Sequence, residues 1–147
     1  MSRPLLGLIA MVTGASGGIG AGIARQLAEA GANVVLAARR QERIEGLAAE
    51  LGRRYKVKCL AVPTDVTKRQ SVKDCVQTAM SFYNRDGIDI LVNNAGAIPA
   101  GDIQAVEEDR WRAAWDLKVF GYINMCKCHQ NMTAAELLKR SKSDEFI

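Results

Sequence analysis

Thr13-Gly14-Ala15-Ser16-Gly17-Gly18-Ile19-Gly20 lies between an apolar run over residues 8–12 and a stretch in which Ile19, Ile23 and Leu27 recur at helical spacing. Strand, glycine turn and helix in that order present the unpaired amides of a helix N-terminus to an anion, with the positive end of the helix dipole behind them. An anion so placed gains about 1 kcal/mol over solvent. Each glycine has its own expected role. Gly14 suits a tight turn out of the strand, Gly18 removes the Cβ that blocks a pyrophosphate, and Gly20 lets the new helix pack close to the sheet. A plain surface turn explains neither the strand before it nor the helix after it. The spacing Gly-x-x-x-Gly-x-Gly departs from the Gly-x-Gly-x-x-Gly of the general dinucleotide fingerprint, so the assignment needs support from the rest of the chain.

The first strand, over about residues 7–12, is apolar on both faces, as a parallel strand covered by helices on either side should be. A helix over 18–30 follows, with Gly31 placed to cap it in the left-handed region, and then a strand over 33–37. Just past that strand, dinucleotide folds place an acid for the adenosine ribose or an arginine for a 2′-phosphate. Here the residues are Ala37, Ala38, Arg39 and Arg40, with no carboxylate before Glu42. Arg39 is therefore expected to receive a 2′-phosphate, and NADP(H) is preferred over NAD(H). Arg40 reads equally well as a solvated charge opening the next helix.

That helix is expected over 41–51, ended by Gly52, and the third strand over 57–62. The turn Pro63-Thr64-Asp65-Val66-Thr67 puts Asp65 at the carboxyl edge of the sheet, as a turn residue or as an acceptor for an adenine amino group. Thr67 with Gln70 has the form of a capping box for a helix over 68–83. A fourth strand over 88–92 runs into Asn93-Asn94-Ala95-Gly96, where small residues admit a flat ligand and an asparagine side chain can tie backbone edges together. A long helix over 106–129 takes Asp102 or Glu107-Glu108-Asp109 at its positive end. Trp111, Trp115, Val119, Tyr122 and Cys126 recur along one broad face of it, either as core or as a partner-binding surface.

The 147-residue length allows one domain. The net charge of +4 is spread along the chain rather than clustered, which argues for a small anion and against nucleic acid as the beneficiary. Cys59, Cys75, Cys126 and Cys128 have no disulfide-framework spacing and read as free thiols in a reducing, cytoplasmic setting. Cys126-Lys127-Cys128-His129 lacks the two-residue gap and the second pair of a metal site, so no metal is expected. The apolar stretch over residues 5–12 is too short for a signal core or a membrane span.

Together, Thr13-Gly14-x-x-x-Gly18-x-Gly20, Asp65-Val66 and Asn93-Asn94-Ala95-Gly96 resemble the short-chain dehydrogenase/reductase family over residues from about 5 to 125. The resemblance implies a Rossmann-like three-layer α/β fold with a parallel sheet in the order 3-2-1-4 and an alcohol–carbonyl oxidoreductase lineage. It further implies that Gly14, Ser16, Gly17 and Ile19 line a pyrophosphate, Arg39 a 2′-phosphate, Asp65 and Val66 an adenine, and Asn93, Ala95 and Gly96 the nicotinamide-side ribose.

The family's Tyr-x-x-x-Lys motif does not occur in these residues, and Lys118 stands where the family carries an asparagine on the fourth helix. The expectation is a cofactor-binding half over 1–130, lacking strands five to seven, with a divergent tail over 131–147 carrying a short helix that opens at Thr133. Such a chain binds NADP(H) but is inactive alone, serves as a decoy subunit beside full-length relatives, or has no function of its own. Its fourth strand would be an open edge, with pairing through the helix over 106–129.

Overall fold

The computed structural model describes residues 2–129. Strands β1 (Ile9–Thr13), β2 (Asn33–Ala38), β3 (Cys59–Pro63) and β4 (Ile90–Val92) alternate with helices α1 (Gly18–Glu29), α2 (Gln41–Tyr55), α3 (Arg69–Tyr83) and α4 (Glu108–Trp115). All strands are parallel in the order β3-β2-β1-β4, the Rossmann-like arrangement the motifs imply. Among the described residues β4 pairs with β1 alone and lies at the edge, each of its residues only half-buried.

The layers follow from the sequence periodicity. Every residue of β1 is buried, so both faces are covered. Val12, Val34 and Leu36 meet Ala24 and Ala28 of α1 and Ile44 and Leu51 of α2 on one face. Met11, Val35 and Ala37 meet Val72 and Val76 of α3, with Met125, on the other. Small alanines on α1 let that helix lie close to the strands.

Element ends depart from the sequence reading where a side chain or a left-handed residue takes over. Gly31 has φ +99° and its amide donates to the Ala28 carbonyl at 3.0 Å, so it closes α1 as expected. Gly52 does not end α2. The helix runs on to Tyr55, and the left-handed Lys56 (φ 56°) ends it by donating its amide to the Gly52 carbonyl at 3.2 Å. The expected capping box at α3 is absent, because Thr67 donates its hydroxyl to Asp65 and Gln70 turns to Asp74. β4 begins at Ile90 rather than 88, since the Asp89 carboxylate takes the Ile9 amide at 2.8 Å.

The long fourth helix forms, but in a broken register. α4 passes into a π-helical segment, Asp116–Phe120, and residues 121–129 continue as helix. The wide turn shifts the buried stripe to Gly121, Met125 and Cys128, with Leu117 packed against the same core. The expected face is displaced from the core: Trp115 is 59% exposed and Cys126 is also exposed. Trp111, Val119 and Tyr122 are half-buried. The tail over 131–147, with its expected helix at Thr133, lies outside the described residues.

Candidate functional site

The carboxyl ends of the strands enclose a cleft of about 760 Å³. Its walls are the segments that follow β1, β2, β3 and β4, together with Leu117, Lys118 and Tyr122 from the π-helical region. Parallel strands force this convergence, because every connection leaves the sheet at the same edge.

The glycine turn is held from behind. Thr13, fully buried at the end of β1, accepts the amides of Asn94 and Ala95 on its Oγ1 at 3.0 Å each. Asn94 in turn donates its Nδ2 to the carbonyls of Thr13 and Gly14 at 3.2 and 3.3 Å. Gly14 adopts φ +66°, and a Cβ there would come within 2.8 Å of the Ala95 Cα. A Cβ at Gly20 would run into the Gly14 carbonyl and, at 2.6 Å, the Asn94 amide nitrogen. Gly20 is therefore needed for the turn itself, not only for the helix to approach the sheet.

Of the residues singled out from sequence, Gly14, Ser16, Gly17 and Ile19 line the cleft beside the start of α1, and Arg39, Asp65 and Val66 line it after β2 and β3. Asn93, Ala95 and Gly96 line it after β4. Gly18 and Gly20 do not. Gly18 has φ +54° and opens onto a neighbouring hollow of about 350 Å³ between α1 and α2, while Gly20 is tucked behind Gly14.

Several positioning residues were not legible from the motifs. Arg40, which read equally well as a phosphate ligand or as a helix-opening charge, folds back to donate its Nε and Nη2 to the Ser16 hydroxyl at 3.2 and 2.8 Å. Asn124 donates to the Val66 carbonyl at 3.0 Å, and the Ser71 hydroxyl accepts the Asp65 amide at 3.0 Å. Neither pairing has a spacing signal, since each depends on how separate elements pack. Asp65 is held below the usual carboxylate range, first by the Thr67 hydroxyl at 2.6 Å, then by the Thr67 amide, Lys68 and Arg39, against the opposing effect of burial.

The cleft fits a dinucleotide in three respects. The turn offers amides and glycine backbone rather than side chains at the start of α1. Arg39 and Arg40 make the end after β2 cationic. At the other end the buried Asn93 Oδ1 has no hydrogen-bond donor, while its Nδ2 donates to the Cys126 sulfur at 3.4 Å. A sugar hydroxyl is the kind of donor that oxygen lacks. Among the described residues no cluster of His, Cys, Asp or Glu could hold a metal ion, and no helix is long and apolar enough to cross a membrane.

Comparison with known proteins agrees with this geometry. The family model for short chain dehydrogenase matches residues 8–142, so the likeness runs past Met125, further than the motifs themselves reach. A farnesol dehydrogenase of Aedes aegypti is 39% identical over 129 residues, covering 86% of this chain and 51% of the relative. An uncharacterized oxidoreductase of Listeria monocytogenes is 37% identical over 116 residues, covering 79% and 46%.

Among solved structures, L-sorbose reductase from Gluconobacter frateurii complexed with NADPH and L-sorbose superposes with TM-score 0.82 at 32% identity, over 92% of this chain and 51% of that one. An alcohol dehydrogenase from Thermococcus sibiricus complexed with 5-hydroxy-NADP gives 0.80 at 29% identity, over 85% and 52%. The chain thus spans about half the length of the relatives it matches.

Proposed function

The chain belongs to the short chain dehydrogenase family, and on that premise we propose that its cleft binds a nicotinamide dinucleotide, NADP(H) in preference to NAD(H). The observation that carries this reading is the glycine turn, fixed by Thr13 and Asn94 and open to the cleft, with Arg39 and Arg40 at one end. In this reading the pyrophosphate lies on Gly14, Ser16, Gly17 and Ile19, with Gly18 and Gly20 supporting the turn. Arg39 takes the 2′-phosphate, Asp65 and Val66 the adenine, and Asn93, Ala95 and Gly96 the nicotinamide-side ribose. The NADPH and 5-hydroxy-NADP held by two structural neighbours support the choice of cofactor.

Residues 1–130 form the binding unit in this reading. The 147-residue chain is of the alcohol–carbonyl oxidoreductase lineage but binds its cofactor without turning over substrate alone. Tyr122 is in the cleft, yet no tyrosine of the sequence has a lysine four residues on. Hydride transfer without a positioned acid loses about a hundred- to ten-thousand-fold. The free thiols accord with a cytoplasmic setting. A second role, as a subunit that docks on itself or on full-length relatives through residues 106–129, is favoured by the exposure of Trp115 and Phe120, 59% and 54%.

Titration calorimetry tests the first reading. NADPH should bind more tightly than NADH, and folded protein that takes up neither removes it. A carbonyl panel with NADPH tests the second part, where ordinary turnover by this chain would refute inactivity. Light scattering on gel-filtered protein tests association, and a monodisperse monomer at all concentrations, alone or mixed with a full-length relative, counts against it.

A further inference from the structure

Lys118 stands at the centre of the π-helical segment Asp116–Phe120 and lines the cleft. Its stem lies along the backbone of Gly96: a Cβ at Gly96 would come 3.8 Å from the Lys118 Cδ and 3.9 Å from its Cγ. The lysine stem therefore runs within van der Waals reach of Gly96, at the end of the cleft that follows β4. The other cations of the cleft, Arg39 and Arg40, follow β2. Asp65 is the one carboxylate among the lining residues, and it is engaged by Thr67 and Lys68. Among the described residues Lys118 has no ion-pair partner. Its neighbours along that wall, Asn93, Ala95, Gly96 and Tyr122, include no carboxylate.

We infer that Lys118 makes the cleft discriminate between the two redox forms of the cofactor, holding NADPH more tightly than NADP⁺. This rests on the cofactor reading above, which puts the nicotinamide at the Asn93–Gly96 end. The nicotinamide ring carries a positive charge when oxidised and none when reduced, whereas the phosphates carry the same charge in both forms. An ammonium at that end repels only the oxidised ring, and its attraction for the phosphates cancels when the two forms are compared. In a half-exposed cleft, with an effective dielectric between that of protein and water, the preference amounts to roughly three- to tenfold. A tenfold preference raises the potential of the bound two-electron couple by about 30 mV.

The test is a pair of fluorescence titrations, NADPH and NADP⁺, on the 147-residue chain and on Lys118→Gln and Lys118→Arg, each checked for an unchanged thermal melt. The readout is the ratio of the two dissociation constants, which a general loss of fold or of phosphate attraction leaves in place. The expected result is that Lys118→Gln lowers the NADP⁺/NADPH ratio by about three- to tenfold, that Lys118→Arg keeps it, and that added salt erodes it in the parent chain. An unchanged ratio in Lys118→Gln, with both forms still bound, overturns the inference and leaves the cofactor reading standing. Binding of neither form to folded parent protein overturns both.

Discussion

Thr13 Oγ1 and the backbone amide of Asn94 are 3.0 Å apart, and the Asn94 side chain returns the contact by donating to the Thr13 carbonyl at 3.2 Å. This reciprocal pair joins residues 81 apart in sequence and fixes the exit of β1 against the exit of β4. The cleft depends on it, because the glycine turn and the Asn93–Gly96 wall are held at one separation by these bonds.

Replacing Thr13 with Val keeps the shape and removes the acceptor. The amides of Asn94 and Ala95 are then left without their partner in a part-buried position, at about 1–3 kcal/mol for each unsatisfied group. Urea denaturation should report a loss of about 2 kcal/mol or more for Thr13→Val and within about 1 kcal/mol of the parent for Thr13→Ser, which retains the hydroxyl. A valine variant as stable as the parent would show that the pair is dispensable.

Two glycines of one helix should respond oppositely to alanine. Gly20→Ala forces a methyl onto the Gly14 carbonyl and the Asn94 side chain and should cost about 1–3 kcal/mol along with cofactor binding. Gly22 is exposed within α1 and a Cβ there meets nothing within 4 Å, so Gly22→Ala should gain about 0.5–1 kcal/mol from helix propensity. Thermal melts of the two variants measure both signs.

Arg39→Ala should weaken NADPH by about ten- to a hundredfold, the worth of charge-assisted bonds to a phosphate, and change NADH little. Arg40→Ala instead releases the Ser16 hydroxyl and should weaken both cofactors to a similar, smaller extent. Equal loss for NADPH and NADH in the Arg39 variant would remove the 2′-phosphate assignment.

Asp65 and Glu50 should each contribute to the acid limb of stability. Both carboxyls are held below their ordinary range, Asp65 chiefly by the Thr67 hydroxyl and Glu50 chiefly by its hydrogen bond from Arg25. A depressed folded pKa contributes stability that is complete above the unfolded value, near 4, and is lost as pH falls through the folded value. The Arg25 and Glu50 side chains are 41% and 38% exposed, so solvent screening limits that pair to less than about 1 kcal/mol. Urea midpoints should stay level down to about pH 5 and then fall, with Glu50→Gln closing its gap to the parent below that point.

Thiol reactivity should separate the cysteines. Burial pushes Cys59 and Cys75 up to about 11, leaving almost no thiolate at pH 8, whereas Cys126 is exposed beside Asn93. A maleimide under native conditions should label Cys126 first, and Cys59 and Cys75 only after unfolding. Mass spectrometry of the digested adduct reads this directly.

Local chemistry made most of the fold legible. Buried parallel strands announce themselves by apolar runs, amphipathic helices by their period, and the glycine turn by residue types that no larger side chain can replace, as at Gly14 and Gly20. Ends were less legible. Gly52 looked like a terminator, but Lys56 took the left-handed position three residues after Arg53, and Thr67 preferred Asp65 to the helix amides. Propensity at a helix end is worth about 1 kcal/mol, which a single competing hydrogen bond can offset.

The linear sequence determined the alternating strands and helices and the glycine turn, because hydrophobic period and turn chemistry act between near neighbours. The strand order 3-2-1-4 was legible only through the family resemblance carried by the motifs, and ten of the residues singled out with them, from Gly14 to Gly96, line one cleft. Tertiary packing alone decided that Arg40 grips Ser16, that Asn124 holds Val66, and that Lys118 of the π-helical segment runs beside Gly96 in the cleft. Those contacts join segments far apart in the chain, and their geometry exists only once the sheet has brought the strand ends together.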